Sequence, residues 1–201
     1  PARHALDPPT RNWKNTLLDV IETEIPDVKV MVPKKFGDHR GFFSEVYNKK
    51  RLAEHGIELD FVQDNHSLSV EKNVVRGLHF QIPPFAQDKL VRVLRGSVLD
   101  VAVDLRRNSP TFGRHLTVEL SDENFRQLLV PIGFAHGFVT LEPNTEVFYK
   151  VTNYYAPEHD RGLLWNDPAL GIDWPVPEGQ AVLSDKDKQQ PRLADLPETF
   201  D

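Results

Sequence analysis

Residues 89–105 read KLVRVLRGSVLDVAVDL. Apolar and polar positions alternate from Lys89 to Leu94 and again from Val98 to Leu105, with Arg95-Gly96 between the two runs. Period-two alternation marks a half-buried strand, and glycine supplies the backbone freedom that a tight turn needs. The stretch is therefore predicted as two short strands joined by a turn. The same pattern continues on both sides of it. Val28 to Val32, Phe42 to Tyr47, Phe61 to Leu68 and Val74 to Gln81 read as strands before it. Arg114 to Leu120, Gln127 to Val130, Phe134 to Leu141 and Glu146 to Tyr155 read as strands after it. Turn residues separate them: Gly37-Asp38, Pro83-Pro84, Asn108-Ser109-Pro110, Pro131 to Gly133 and Pro143-Asn144. Helical signals are few. Lys49 to His55 (KKRLAEH) is predicted as a helix ended by Gly56, Asp122-Glu123-Asn124 as a turn, and Ser184 to Lys188 as a short helix capped by Ser184. About ten short strands with close turns predict an all-β fold, an antiparallel sandwich or barrel with a few short helices. A doubly wound nucleotide-binding fold would need long helices between its strands, and they are absent.

The composition supports a folded core and removes whole classes of chemistry. The 201 residues include 12 Phe, 3 Trp and many Val and Leu, so disordered and fibrous classes are excluded. There is no cysteine, which excludes disulfides, thiolate metal sites and cysteine nucleophiles. A net charge of −6 without a basic block argues against nucleic acid as a partner. The longest uncharged apolar run, Leu128 to Ala135, contains Pro and Gly and is far too short to span a membrane. With nothing resembling a signal peptide, the cytoplasm is the expected compartment. Residues 1–16 (PARHALDPPTRNWKNT) lack periodicity and are read as an N-terminal extension, disordered or added for expression. The organised pattern begins near Ile25, and no repeat or linker divides the chain beyond it, so residues 17–201 are expected to form one domain.

Alternation also groups polar residues by face. Gln63 and Asn65 fall with Phe61 and Ser67, and His79 and Gln81 with Val75 and Gly77. Phe43 falls with Glu45, His136 with Phe134 and Phe138, and Tyr149 with Val147 and Val151. Lys89 leads Val91 and Val93, while Asp100 lies with Val98 and Ala102. A lone histidine in a strand is ordinarily a hydrogen-bonded structural residue. Several such residues aimed into one barrel make a site.

Small barrels of this kind often hold a metal. PIGFAHGF, with Pro131, Gly133 and His136, matches half of a cupin metal pattern. In RGLHFQ, however, Gln81 stands where the second histidine would be, and the glutamate is missing. Two histidines are too few for a stable divalent site, so the cavity is expected to be metal-free. A set of His, Lys and Tyr without metal suits proton transfer beside a carbonyl. His serves as a base near neutral pH, oriented by a carboxylate; Lys sits at the oxygen where enolate charge develops; Tyr is an acid on the opposite face.

With these residues collected, the chain resembles the dTDP-4-dehydrorhamnose 3,5-epimerase family, cofactor-free enzymes on a cupin-like antiparallel jelly roll. The likeness rests on IPDV, FGDHRGFF, FVQDNHS, VVRGLHFQ, AQDKLVR, PIGFAHGF, YKVTNYYAPEHD and LSDKD, among others in the same order. It implies inversion of the two carbons flanking the ketone of dTDP-4-dehydro-6-deoxy-D-glucose, a step in dTDP-L-rhamnose biosynthesis. A mono-epimerase or ketoisomerase acting on a related dTDP-4-keto-deoxysugar is the alternative. By the resemblance, His79 is the base and Asp187 its carboxylate, with Asp100 the other carboxylate that could fill that place. Tyr149 is the acid, and Lys89 with His136 lies near the sugar oxygens. Arg76 contacts the sugar or diphosphate, Gln63, Asn65, Glu45, Asp160 and Lys186 contact the nucleotide, and Tyr155 stacks on thymine. Asp160 stands where the family more often has Glu. Arg40 is a diphosphate ligand that reaches the site from the partner subunit of a homodimer.

Overall fold

A computed structural model describes residues 17–201 apart from positions 178 and 198. The expectation for residues 1–16 lies outside the described residues. In chain order the strands are β1 (Leu18–Glu22), β2 (Lys29–Pro33), β3 (Phe36–Asp38), β4 (Gly41–Phe43) and, after helix α1 (Lys49–Glu54), β5 (Gln63–Ser69) and β6 (Val75–Gln81). They continue as β7 (Lys89–Arg95), β8 (Ser97–Asp104), β9 (His115–Ser121), β10 (Gln127–Val130), β11 (Phe134–Thr140), β12 (Thr145–Val151) and β13 (Asp160–Gly162). A six-stranded sheet runs β1-β2-β10-β7-β12-β5, and a five-stranded sheet runs β13-β6-β11-β8-β9. Every strand pair in them is antiparallel. The two sheets make a jelly-roll sandwich, with β3 and β4 as a separate hairpin.

The 89–105 stretch explains the layering. Arg95-Gly96, with Gly96 at φ 77°, carries the chain from one sheet to the other. Alternation then aims Val91 and Val93 of one sheet and Val98 and Ala102 of the other into the same interior, where they meet Leu128, Phe134, Phe138 and Val147. Each fully buried side chain of this size contributes about 1.5–3 kcal/mol. The opposite faces are covered as well. Leu78, Phe80, Val101 and Val103 pack under Leu163, Leu170, Leu196 and Phe200 of the C-terminal segment. Met31, Leu90 and Leu129 pack under Leu52 of α1 and Ile57. β8 ends on Asp104, which is fully buried and accepts hydrogen bonds from Arg106 (2.8 and 3.0 Å), Ser109 (2.7 Å) and Thr111 (2.6 Å).

Three strands escape the alternation. β1 precedes Ile25 and is a half-buried edge strand, paired on one side only. β3 and β13 have three residues each, too few to show a period. Two predicted strands end early. Phe42 to Tyr47 stops at Phe43, since the chain beyond it runs as a strap that gives the Val46 carbonyl to the Gln127 side chain at 2.9 Å. Glu146 to Tyr155 stops at Val151, and Thr152 to Tyr155 turn away to bond Asp88 and Gln63. Helix α1 ends one residue before His55, and Asn48 caps it by accepting from Arg51 N–H.

Candidate active site

The site is built on the pairing of β6 with β11. His136 lies opposite His79, yet Phe138 lies opposite Arg76, so three steps on β6 span two on β11. This bulge breaks strict alternation. Leu78 turns to the outer layer and Val75 packs with Leu99 and Val139, while Val75, Arg76 and His79 all line one cavity. His79 thus shares the cavity with Val75, which alternation groups with it, and also with Arg76, which alternation places on the other face. Gly77 (φ 118°) and Gly137 permit the close approach. A Cβ on Gly77 would sit 2.7 Å from the Gly137 Cα, and one on Gly137 would sit 2.6 Å from the Arg76 carbonyl.

The cavity measures about 480 Å³ and lies between the two sheets. Arg76 and His79 come from β6, His136 and Phe138 from β11, Lys89 from β7 and Tyr149 from β12. Alternation aims Lys89, His136 and Tyr149 inward, and they are there. Asp187 arrives from far down the chain. Val182 pairs with the residues at the start of β6, bonding Asn73 and Val75 at 2.9 Å each, and lays residues 182–187 along the mouth of the sandwich. Ser184 accepts from Asp187 N–H at 3.1 Å, but the helix predicted from Ser184 to Lys188 is corrected to a turn followed by a single 3-10 turn at Asp187–Gln189, which Ser184 does not cap.

His79 and Asp187 form a pair, with Nε2 2.5 Å from Oδ1. Of the two carboxylates that the sequence leaves open, Asp187 is thus the one beside His79, and Asp100 belongs to another histidine. Asp100 bonds His136 Nε2 at 2.9 Å, and both side chains are almost wholly buried. Burial pushes the Asp187 carboxyl up, but hydrogen bonds from His79, Ser184 and the Gly77 backbone outweigh it and hold the group below the usual carboxylate range. Ionised Asp187 can only accept, which places the proton on His79 Nε2 and leaves Nδ1 as the basic nitrogen. Burial pushes the Lys89 ammonium down to about 8, against the opposing pull of Asp160 and Asp100. Its Nζ reaches the His79 carbonyl at 3.3 Å. Burial pushes the Tyr149 hydroxyl up; Arg76 works against this and Asp160 reinforces it, so the phenol stays protonated at neutral pH.

A second polar chain lies beside the cavity. Gln63 donates to Asn65 at 2.9 Å and accepts the Tyr155 N–H at 3.1 Å. The Tyr155 hydroxyl reaches Asp160 at 3.4 Å, and Asp160 pairs with Lys186. The Tyr155 ring is itself exposed. Five predicted binding residues are therefore linked to one another, although none of them lines the cavity. Two others are not brought to the site within this chain. Glu45 bonds Arg51 at 2.6 Å and lines a separate small cavity between α1 and β2. Arg40 sits on the β3–β4 hairpin, is 78% exposed and pairs with Asp38. Among the described residues no three of His, Cys, Asp and Glu are grouped as metal ligands would be, and no helix is long and apolar enough to cross a membrane.

A sequence profile of the dTDP-4-dehydrorhamnose 3,5-epimerase family matches residues 22–195. The chain belongs to this family. As a family member it is an isomerase, and the fold agrees. This epimerase is 55% identical over 176 residues to the dTDP-4-dehydrorhamnose 3,5-epimerase of Sinorhizobium fredii, covering 88% of this chain and 90% of that one. The corresponding enzyme of Bacillus anthracis, crystallised with TDP and pyrophosphate, superposes with a TM-score of 0.85 at 54% identity, over 87% of this chain and 99% of that one. A Legionella pneumophila epimerase in complex with dTDP-4-keto-L-rhamnose superposes with a TM-score of 0.85 at 48% identity, over 89% of this chain and 94% of that one.

Proposed function

We propose that this epimerase inverts carbons 3 and 5 of dTDP-4-dehydro-6-deoxy-D-glucose to give dTDP-4-dehydro-L-rhamnose, in the cytoplasm, with residues 17–201 acting as one domain. The observation that carries the reading is the His79–Asp187 pair facing the same cavity as Lys89 and Tyr149. His79 Nδ1 takes the proton from a carbon beside the ketone, and the electron pair moves onto the ketone oxygen. The Lys89 ammonium stabilises that enolate where water is excluded. Tyr149 delivers a proton to the opposite face, so the carbon inverts, and its phenolate recovers a proton from solvent. The same cycle then runs at the second carbon. Asp187 keeps the imidazole in one tautomer and offsets its charge once protonated.

Arg76 and His136 complete the sugar pocket. The chain of Gln63, Asn65, Tyr155, Asp160 and Lys186 supplies the nucleotide contacts, with the exposed Tyr155 ring free to stack on thymine. The epimerase works as a homodimer whose β3–β4 hairpin crosses to the partner and brings Arg40 to the diphosphate. Support for this lies in the hairpin itself, which presents Phe36, Phe42 and Phe43 at 45, 60 and 69% exposure beside the exposed arginine. Glu45 lies on the strap that continues from this hairpin.

The test is incubation with dTDP-4-dehydro-6-deoxy-D-glucose in deuterated water, with deuterium counted by mass spectrometry. Uptake at both carbons next to the ketone is the expected result. Uptake at one carbon makes the protein a mono-epimerase or ketoisomerase, and no uptake above an enzyme-free control refutes the reaction class.

A further inference from the structure

The His79–Asp187 pair has a buried counterpart that the proposed cycle leaves without a role. Asp100 stands on β8 with its side chain between the sheets, between Val98 and Ala102 and opposite Phe138 and Val118 on the flanking strands. It is fully buried. One carboxylate oxygen bonds His136 Nε2 at 2.9 Å, and the other has no hydrogen-bond partner. Taking a carboxylate out of water and leaving half of it unpaired is costly, and such groups persist mainly where function needs them. Asp100 does not line the cavity, whereas His136 does.

We propose that Asp100 is a positioning residue for the epimerisation: it fixes His136 as the Nε2–H tautomer with Nδ1 turned to the sugar. The inference rests on the reading of the protein as a sugar-nucleotide epimerase. Its geometry comes from the inventory of donors. A carboxylate only accepts, so the proton shared with Asp100 is on Nε2 and the remaining nitrogen is a pure acceptor, suited to a sugar hydroxyl. Charged and titratable groups surround Lys89 from every neighbouring element. From β6 come Arg76 and His79, from β11 His136, from β12 Tyr149, from β13 Asp160, from β8 Asp100 and from the C-terminal turn Asp187. Burial works against the ammonium, while Asp160 and Asp100 favour it. Asp160 is already paired with Lys186, which leaves the free Asp100 oxygen as the less compensated charge.

Asp100→Asn keeps the shape and removes the charge. The turnover number of this variant is expected to fall about 10- to 100-fold, the scale on which partners of a working imidazole act, with KM for the sugar nucleotide kept. The alkaline limb of its pH profile should move to lower pH, because Lys89 loses a supporting anion. A purely structural role would change neither the limb nor the ratio of the two constants in this way. Unchanged turnover with an unmoved limb overturns the proposal. Nitrogen-15 spectra of the histidines in the wild-type protein give a readout that needs no substrate and still decides if the variant fails to fold. His136 is expected as the Nε2–H tautomer, and an Nδ1–H tautomer overturns the assignment. A wild-type protein that exchanges no deuterium refutes the epimerase reading instead, a result distinct from either of these.

Discussion

Replacing Asp187 by Asn tests the core of the proposed chemistry, and the structure sets the size of the effect. Asp187 is 4% exposed and accepts His79 Nε2–H at 2.5 Å. Asn keeps the volume, but its amide can donate to Nε2. Donation moves the imidazole proton to Nδ1, the nitrogen that must take the substrate proton, and the base is disabled without being moved. The same change beside the histidine of serine proteases costs about 10⁴ in turnover. Here the His79 side chain is 33% exposed, so water can compete for its nitrogens and restore part of the active tautomer. We therefore expect a loss of about 10³, or about 4 kcal/mol in activation free energy at 1.36 kcal/mol per tenfold change.

The ordering of variants sharpens the test. Asp187→Ala removes the acceptor without supplying a donor, and water occupies the gap. The imidazole then samples both tautomers, and the loss should be about 10², inside the range for a general base deprived of its support. Alanine is thus the better enzyme, although asparagine is the closer isostere. The assay is single-turnover deuterium uptake into dTDP-4-dehydro-6-deoxy-D-glucose, with circular dichroism confirming the fold of each variant. An Asn variant as fast as the Ala variant, or one retaining a tenth of wild-type turnover, refutes the tautomer argument.

Three further outcomes are expected from the same geometry. Tyr149→Phe removes the acid on the opposite face, so inversion should fall by about 10²–10⁴ while deuterium still enters the substrate from the His79 side, read by comparing uptake with product configuration. Turnover should decline as pH rises through about 8, where Lys89 loses its proton; Lys89→Arg, charged at every accessible pH, should lower turnover yet abolish that limb. For Asp104, burial raises the carboxyl, but the hydrogen bonds from Arg106, Ser109 and Thr111 prevail and take it from 3.8 to about 2. A depressed folded value gives stability that is present above the unfolded value and lost on acidification, so thermal stability should fall as pH drops from about 4 towards 2, and Asp104→Asn should cost about 3 kcal/mol at neutral pH and flatten that acid dependence.

Much of this arrangement is legible along single strands. The pattern of 89–105 aims Lys89, Val91 and Val93 from one sheet and Val98, Asp100 and Ala102 from the other into one interior, and Val147 and Tyr149 join them. Period two is a local property, and it holds wherever a strand is regular. It fails at Arg76 and His79, where a bulge set by the β11 register puts residues three apart on one face. No local signal reports a register with a strand some 60 residues away. The same limit applies to Asp187, carried to His79 by the pairing of Val182 with Asn73 and Val75, and to the match of Asp100 with His136. The family resemblance, not the alternation, names Asp187, whereas alternation turns Asp100 and His136 inward without pairing them. β1 and β13 escape for a different reason: edge strands and three-residue strands bury too little on one face to leave a period.

The two histidine–aspartate pairs differ in one respect that assigns their work. They stand side by side on β6 and β11, with His79 opposite His136. Each imidazole gives its Nε2 to a buried carboxylate, so hydrogen bonding alone does not distinguish them. Exposure does: the His79 side chain is 33% exposed and that of His136 is 7% exposed. A base that serves two carbons in turn must lose the first proton before it takes the second, which requires contact with solvent. His79 has that contact. The His136 ring, 7% exposed, exchanges more slowly, and its value lies in a hydrogen-bonding direction fixed by Asp100. His79 should therefore exchange its ring proton with solvent within a turnover, while His136 Nε2–H should give a sharp, slowly exchanging resonance. This division also explains the uptake of solvent deuterium in the proposed assay, since the proton that His79 removes is released to water before the next one is taken.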